Sequence, residues 1–126
     1  MKFYIAAKWQ SRAEARTLMN LLEARGYTIT VDWTTHVNPQ SQSILQEWAE
    51  RDEEGVKQCD IFIGLFRESE VGNGAVVEMG IALGLGKRIW IVGDAIDSCI
   101  FMLHPLVTKF PNIEAMLYTL DSMPKE

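Results

Sequence analysis

Between Val71 and Gly86 the sequence VGNGAVVEMGIALGLG carries a single charged residue, Glu78, set among Val76, Val77, Met79 and Ile81 in a helix that reads as buried on most sides. A carboxylate taken into apolar surroundings without a partner either raises its pKa or costs several kcal/mol, so a residue placed there points to a task. Capping does not supply one: with Asn73 or Gly74 as the N-cap of a helix, the reciprocal glutamate would stand at position 76 or 77. The plain alternative is a core glutamate bound to an arginine or a backbone amide. A second acid stands out one segment earlier. A helical stripe runs through Leu45, Ala49, position 52, Val56 and Cys59, and position 52 is an aspartate. Glu47, Glu50, Glu53 and Glu54 fall off that stripe and read as solvated, whereas Asp52 is expected to point inward. Two inward carboxylates in one cleft suit acid, base or nucleophile work at a glycosidic carbon, where an oxocarbenium-like charge develops. The turn Gly72-Asn73-Gly74 would let a ligand approach a helix N-terminus, whose amides favour anions and are expected to help keep Glu78 ionised.

These residues need a scaffold, and the pattern supplies one. Phe3 to Ala7 reads as a buried strand, followed by a helix from Ser11 to Gly26 whose apolar face is Ala15, Leu18, Met19 and Leu22. Tyr27 to Trp33 reads as a second strand, and the polar, Pro39-containing stretch from Thr34 to Ser43 as a candidate binding loop. A helix over about 43–58, a strand over 60–66, a helix opened by Gly72-Asn73-Gly74 and ending near Gly86, and a strand over 88–92 follow. A fifth strand is expected over 106–110 and a last helix over about 112–120. Strands alternating with helices predict an α/β fold: a doubly wound, mostly parallel five-stranded sheet with helices on both faces, of flavodoxin or Rossmann kind. Ligands of such sheets sit beyond the carboxyl ends of the strands, just after Ala7, Trp33, Phe66 and Val92.

Length and charge narrow the partners. The 126 residues suit one domain, 1–126, and 48% hydrophobic against 23% charged supports a folded core. A net charge of −5 offers no basic footprint for polymeric nucleic acid. Cys59 and Cys99 lie far apart without metal-ligand spacing and are expected to be reduced and structural, with no metal and no cofactor. The start MKFYIAAKW has too short an apolar run for a signal peptide, and no stretch reaches a membrane span, so a cytoplasmic address without membrane partners is expected. His36 and His104 read as surface or structural histidines, and Trp33 and Trp48 as core or cleft-wall aromatics.

With these residues in place the chain resembles the nucleoside 2-deoxyribosyltransferase superfamily, which includes deoxynucleoside-monophosphate N-glycosidases. The resemblance runs from Phe3 to about Val92. It rests on Phe3-Tyr4-Ile5-Ala6-Ala7-Lys8-Trp9, on Asp52-x-x-Gly55-Val56, on Cys59-Asp60-Ile61-Phe62-Ile63, and on Gly74-x-x-x-Glu78-Met79-Gly80-Ile81-Ala82-Leu83 followed by Gly86-Lys87. The interval from Asp52 to Glu78 matches the family without a gap. The resemblance implies that Glu78 forms a glycosyl ester at C1′, that Tyr4 positions it, and that Asp52 contacts the base and helps protonate it as it leaves. It further implies a small-molecule nucleoside or nucleotide as substrate, bound by Ala7, Lys8, Trp9, Gly72, Asn73 and Gly74. Transfer of the sugar to a second base is the first reading; release of base from a deoxynucleoside 5′-monophosphate is the alternative. The chain departs from the pattern at Gly72, where the transferases carry an aspartate and the hydrolases often a serine. It departs again at Lys8 and Gln10, which replace the hydrolases' phosphate-binding serine and arginine, although Lys8, Ser11 and Arg12 offer a substitute. The change at Gly72 motivates a third reading, a non-catalytic nucleotide-binding module. A homo-oligomer with sites shared between subunits is implied, with Cys99 to His104 as the segment contributed.

Overall fold

The computed structural model describes residues 1–67 and 71–124. Strands β1 (Lys2–Ala6), β2 (Thr28–Ile29), β3 (Ile61–Leu65), β4 (Arg88–Val92) and β5 (Val107–Phe110) form one sheet in the order β2-β1-β3-β4-β5. Every pairing is parallel, a step beyond the mostly parallel sheet expected. The segments FYIA, IFIGL and IWIV are buried throughout, as strands covered on both faces must be. Four helices supply the cover: α1 (Arg12–Ala24), α2 (Gln42–Gln58), α3 (Asn73–Gly84) and α4 (Ile113–Asp121). Helices α2 and α3 pack on one another and on β1. Arg25, at the end of α1, donates to Asp121 of α4 at 2.8 Å. Right-handed crossovers in this strand order put α2 and α3 on one face, with α1 and α4 on the other. This is the flavodoxin-like order, in which the chain reverses direction across the sheet between β1 and β3.

Alternation along the strands decides which side chains reach the α2/α3 face. Tyr4 is paired in register with Phe62, and their rings stack at 5.9 Å on that face. Phe3 points the other way, against Tyr27 and Trp90. Gly55 of α2 faces Tyr4: a Cβ built there would come within 2.5 Å of Val31 Cγ2 and 3.1 Å of the Tyr4 ring. The missing side chain is what lets α2 lie this close to β1.

Three expectations change. The second strand was expected over 27–33, but only Thr28 and Ile29 pair with β1 as a ladder. Thr30 N still donates to Phe3 O, and the chain then leaves the sheet in a short 3-10 turn over Trp33–Thr35, capped by Asp32. Trp33 Nε1 donates to Ile5 O at 2.6 Å, so a side chain replaces the next rung of the ladder and the alternating pattern outlasts the strand. In α2, Leu45 and Ala49 are exposed, and the inward face is Trp48, Asp52, Gly55, Val56 and Cys59. Helix α3 is not enclosed on most sides: Ala75, Met79 and Ala82 are buried, but Val76, Val77 and Leu85 are exposed.

Candidate active site

Tyr4 ends up beneath a cleft at the carboxyl end of β1, next to the reversal point of the sheet. Its ring is fully buried, and its hydroxyl donates to Glu78 Oε2 at 2.6 Å. Glu78 reaches it from α3. The helix begins with Gly72 as N-cap, one residue earlier than the sequence suggested, which puts Glu78 in the second turn. At that depth the amide dipoles of the first turn do little for it. Burial dominates, raising the Glu78 pKa to about 7; the Tyr4 hydrogen bond opposes the shift and the charge of Asp52 adds to it. The expectation that the helix end would hold Glu78 ionised is therefore corrected.

Asp52 approaches from α2, carried by the contact that Gly55 allows. Burial raises its pKa to about 6, against a smaller lowering by Arg51. Its Oδ1 is buried without a hydrogen-bond partner among the described residues. Tyr4 is pushed far up by its own burial, then by the charges of Glu78 and Asp52, so its hydroxyl keeps its proton throughout the working range and acts only as a donor. The two carboxyl groups feel one another and titrate as a pair, losing their protons between about pH 6 and 7. Between those values the pair holds close to one proton, which rests mainly on Glu78, the weaker acid; the arrangement that can react, with Glu78 ionised to attack and Asp52 protonated to donate, is the minor form of that one-proton state.

The cleft above them measures about 430 Å³ and is lined by Ala7, Lys8, Trp9, Gln10, Trp33, His36, Trp48, Asp52, Gly72, Gly74, Ala75 and Glu78. Ala7, Lys8, Trp9, Gly72, Gly74, Asp52 and Glu78, each expected at the site from the sequence, are brought together by the fold. Asn73 does not join them; it is exposed as the first residue of α3, between two glycines that do line the cleft. Arg12 is also directed elsewhere, stacking on the Trp9 ring at 4.5 Å and donating to Trp9 O. A Cβ at Gly72 would stand 3.2 Å from Lys8 Cα, so the loop after β1 occupies the space a larger residue would need.

Gln10, His36 and Ala75 were not expected in the lining. His36 had a usable signal, since it lies just beyond Trp33, the end of the stretch that reads as the second strand, where ligands of such sheets bind. His104 does as a structural histidine should: Nδ1 accepts from Leu106 N at 3.0 Å. Cys59 is buried, and its thiol is pushed up to about 11, which makes it inert. A larger recess of about 590 Å³, lined in part by Arg67 and Lys109, offers no comparable chemistry, because those two cations are paired with Glu14 and Asp97. Among the described residues no helix is long and apolar enough to cross a membrane.

Comparison with known proteins agrees with this geometry. Solved structures with the same fold include a CMP N-glycosidase, BcmB, from Clostridium botulinum, 23% identical over 98% of this chain and 100% of that one, TM-score 0.68. A 2-deoxyribosyltransferase from Bacillus psychrosaccharolyticus is 17% identical over 98% and 93%, TM-score 0.71. A 2-deoxyribosyltransferase from Leishmania mexicana is 17% identical over 98% and 99%, TM-score 0.64. No curated protein matches the sequence at a significant level. The model of the nucleoside 2-deoxyribosyltransferase family matches residues 3–113. The chain belongs to the nucleoside 2-deoxyribosyltransferase family, a family of enzymes that act on nucleosides and nucleotides.

Proposed function

We propose that this enzyme moves a deoxyribosyl group between nucleobases through a covalent ester on Glu78. The observation that carries the reading is the Tyr4 to Glu78 hydrogen bond, made beside Asp52 in one aromatic-walled cleft. Ionised Glu78 attacks C1′ as the C1′–N bond breaks, and the bonding pair leaves with the base. Asp52 delivers its proton to the departing base. Tyr4 holds one Glu78 oxygen so that the other faces the sugar. An incoming base then attacks C1′, Asp52 takes up a proton, and Glu78 is released. Two displacements retain the anomeric configuration.

Hydrolysis of a nucleoside 5′-monophosphate is the second reading. Two observations favour it: Lys8 on the cleft wall, and the end-to-end match with a CMP N-glycosidase. In that case water replaces the second base. A non-catalytic nucleotide binder fits less well, since a pure binder gains nothing from a desolvated pair of acids. The deciding experiment traps the ester with a 2-fluoro-2-deoxyarabinosyl nucleoside and locates the added mass by peptide mass spectrometry. Mass on the peptide carrying Glu78 is expected. Turnover of deoxynucleosides without any adduct in wild type, or an adduct that persists in Glu78→Ala, refutes the nucleophile assignment. Incubation with and without an acceptor base then separates new nucleoside from free sugar and base.

We also propose a homo-oligomer that completes the site. Leu45, Val76 and Val77 present exposed apolar surface on α2 and α3. Beside them a recess of about 270 Å³, lined by Ala49, Val77 and Ile81 among others, reaches Asp52 and Glu78 from the outer side. Within the segment expected to be contributed, Ile100, Phe101 and Leu103 are exposed. Light scattering is expected to give a mass above the monomer's 14.3 kDa. A monomer with full activity overturns this.

A further inference from the structure

The glycosyl-transfer chemistry leaves His36 without a task, yet its ring lines the cleft. The imidazole lies parallel to the Trp48 indole, with centroids 4.5 Å apart and planes 5° from coincidence. Neither ring nitrogen has a hydrogen-bond partner among the described residues. The loop that carries it is pinned at several points. His36 N donates to Trp33 O at 3.0 Å, the Trp33 indole is tied to Ile5 O, and Asp32 caps the turn while paired with Arg16. A ring fixed this firmly, with its polar atoms unused, is preorganised for something that enters the cleft.

Position along α2 indicates what it would meet. Trp48 and Asp52 are four residues apart, so they lie on one face, about 6 Å from each other along the helix axis. Both line the cleft. The small outer recess touches Glu78 and Asp52 but neither Trp48 nor His36, whereas the main cleft touches all four, so the stacked pair stands on the cleft side of the carboxylates. With the sugar at Glu78 and the departing base nitrogen at Asp52, the next turn of α2 meets the part of the base remote from the glycosidic bond. One face of the imidazole is covered by Trp48, so it offers its edge. Burial, helped by the charge of Arg51, lowers the His36 pKa and favours the neutral ring, with one nitrogen as donor and the other as acceptor. A neutral donor-acceptor edge suits a base better than it suits a phosphate.

We propose that His36 is a specificity-determining residue that hydrogen-bonds the remote edge of the nucleobase, where amino and keto groups distinguish adenine from hypoxanthine and cytosine from uracil. The inference rests on the glycosyl-transfer reading for where the sugar sits. A buried donor or acceptor left unmatched separates two bases by about 5- to 150-fold.

The test titrates wild type, His36→Phe and His36→Gln with adenine, hypoxanthine, cytosine and uracil by calorimetry. It also measures kcat/KM on the corresponding deoxynucleosides and on 4-nitrophenyl 2-deoxyriboside, which has no base edge. Wild type is expected to separate at least one amino/keto pair by about tenfold. His36→Phe, which keeps a flat ring on Trp48, is expected to shrink that ratio to about threefold or less and to leave 4-nitrophenyl release within about twofold of wild type. His36→Gln, which keeps a donor and an acceptor, is expected to retain the order of preference. Unchanged discrimination in His36→Phe overturns the proposal, as does wild type that binds no base or binds all four alike. Selective base binding that depends on His36, with no turnover of any nucleoside, supports the role of His36 and refutes the transfer reading alone.

Discussion

Replacing Glu78 by Gln should abolish turnover and at the same time make the protein more stable, by an amount that depends on pH. The Glu78 carboxyl titrates near 4.5 when unfolded and near 7 in the fold, chiefly because burial penalises its charge. A raised carboxyl pKa means that the native state binds the proton more tightly than the unfolded chain. Between pH 4.5 and 7 the native state therefore holds more protons, and stability falls as pH rises through that window. Each pKa unit corresponds to about 1.4 kcal/mol, so the full penalty above pH 7 has a ceiling of roughly 3 kcal/mol. The partial exposure of Glu78 and its coupling to Asp52 reduce this to about 1–2 kcal/mol. Glutamine keeps an acceptor for the Tyr4 hydroxyl and carries no charge, so it escapes the penalty. For a chain of 126 residues, 1 kcal/mol is roughly 4 °C in Tm. Thermal unfolding followed by circular dichroism should show Glu78→Gln melting about 4–8 °C above wild type at pH 8, with a much smaller gain at pH 5. A variant that melts below wild type at pH 8, or whose gain is the same at both pH values, would refute the claim that Glu78 is held charged against its surroundings.

Tyr4→Phe removes a hydrogen bond to a charged group, worth about 1.5–3 kcal/mol; kcat should fall about 10- to 100-fold, and the acid limb of the kcat/KM profile should move to higher pH because the Tyr4 bond lowers the Glu78 pKa. An unshifted limb would show that the hydroxyl does not tune Glu78. Asp52→Asn should cost about 10²–10⁴-fold on nucleosides, whose leaving bases need a proton, and far less on 4-nitrophenyl 2-deoxyriboside; equal losses on both would remove Asp52 from the acid role. Gly55→Ala pushes a methyl into Val31 and the Tyr4 ring, so it should destabilise by about 1–3 kcal/mol in denaturant titrations and lower kcat as α2 moves off the sheet. Wild-type stability and turnover in that variant would show that close approach of α2 is not needed.

How much of this was legible in the sequence depended on how local each cause was. Buried strands announce themselves through continuous apolar runs, and β1, β3 and β4 fell within a residue or two of their expected limits. Glu78 and Asp52 were visible because each interrupts a pattern that burial otherwise enforces. What failed was decided by partners distant in the chain. The Tyr27 to Trp33 alternation looked like a full strand because Val31 and Trp33 are buried, yet the sheet edge is finished by an indole bonded to a carbonyl of β1. The inward stripe of α2 was assigned to Leu45 and Ala49, because nothing in the sequence says that Trp48 turns in to stack on His36. Helix α3 looked enclosed, since its composition cannot distinguish surface covered by the same chain from surface left exposed in it.

The placement of Asp52 shows how one local rule governs the whole site. An aspartate on the inner face of a helix would ordinarily be driven off the sheet by its desolvation cost, and the helix would settle further out. Here Gly55, less than a turn beyond, removes the side chain that would hold α2 away, and Val56 and Cys59 anchor the rest of that face in the core. The helix is thus held close by apolar contacts at its C-terminal end and carries an unsatisfied acid at its middle. Tyr4, its ring close against Gly55, donates a hydrogen bond from its hydroxyl to Glu78. Both acid pKa values are raised chiefly by burial, and the charge of Asp52 raises Glu78 further. Stability is given up locally to keep one proton shared near neutral pH, and helix packing away from the cleft meets the cost.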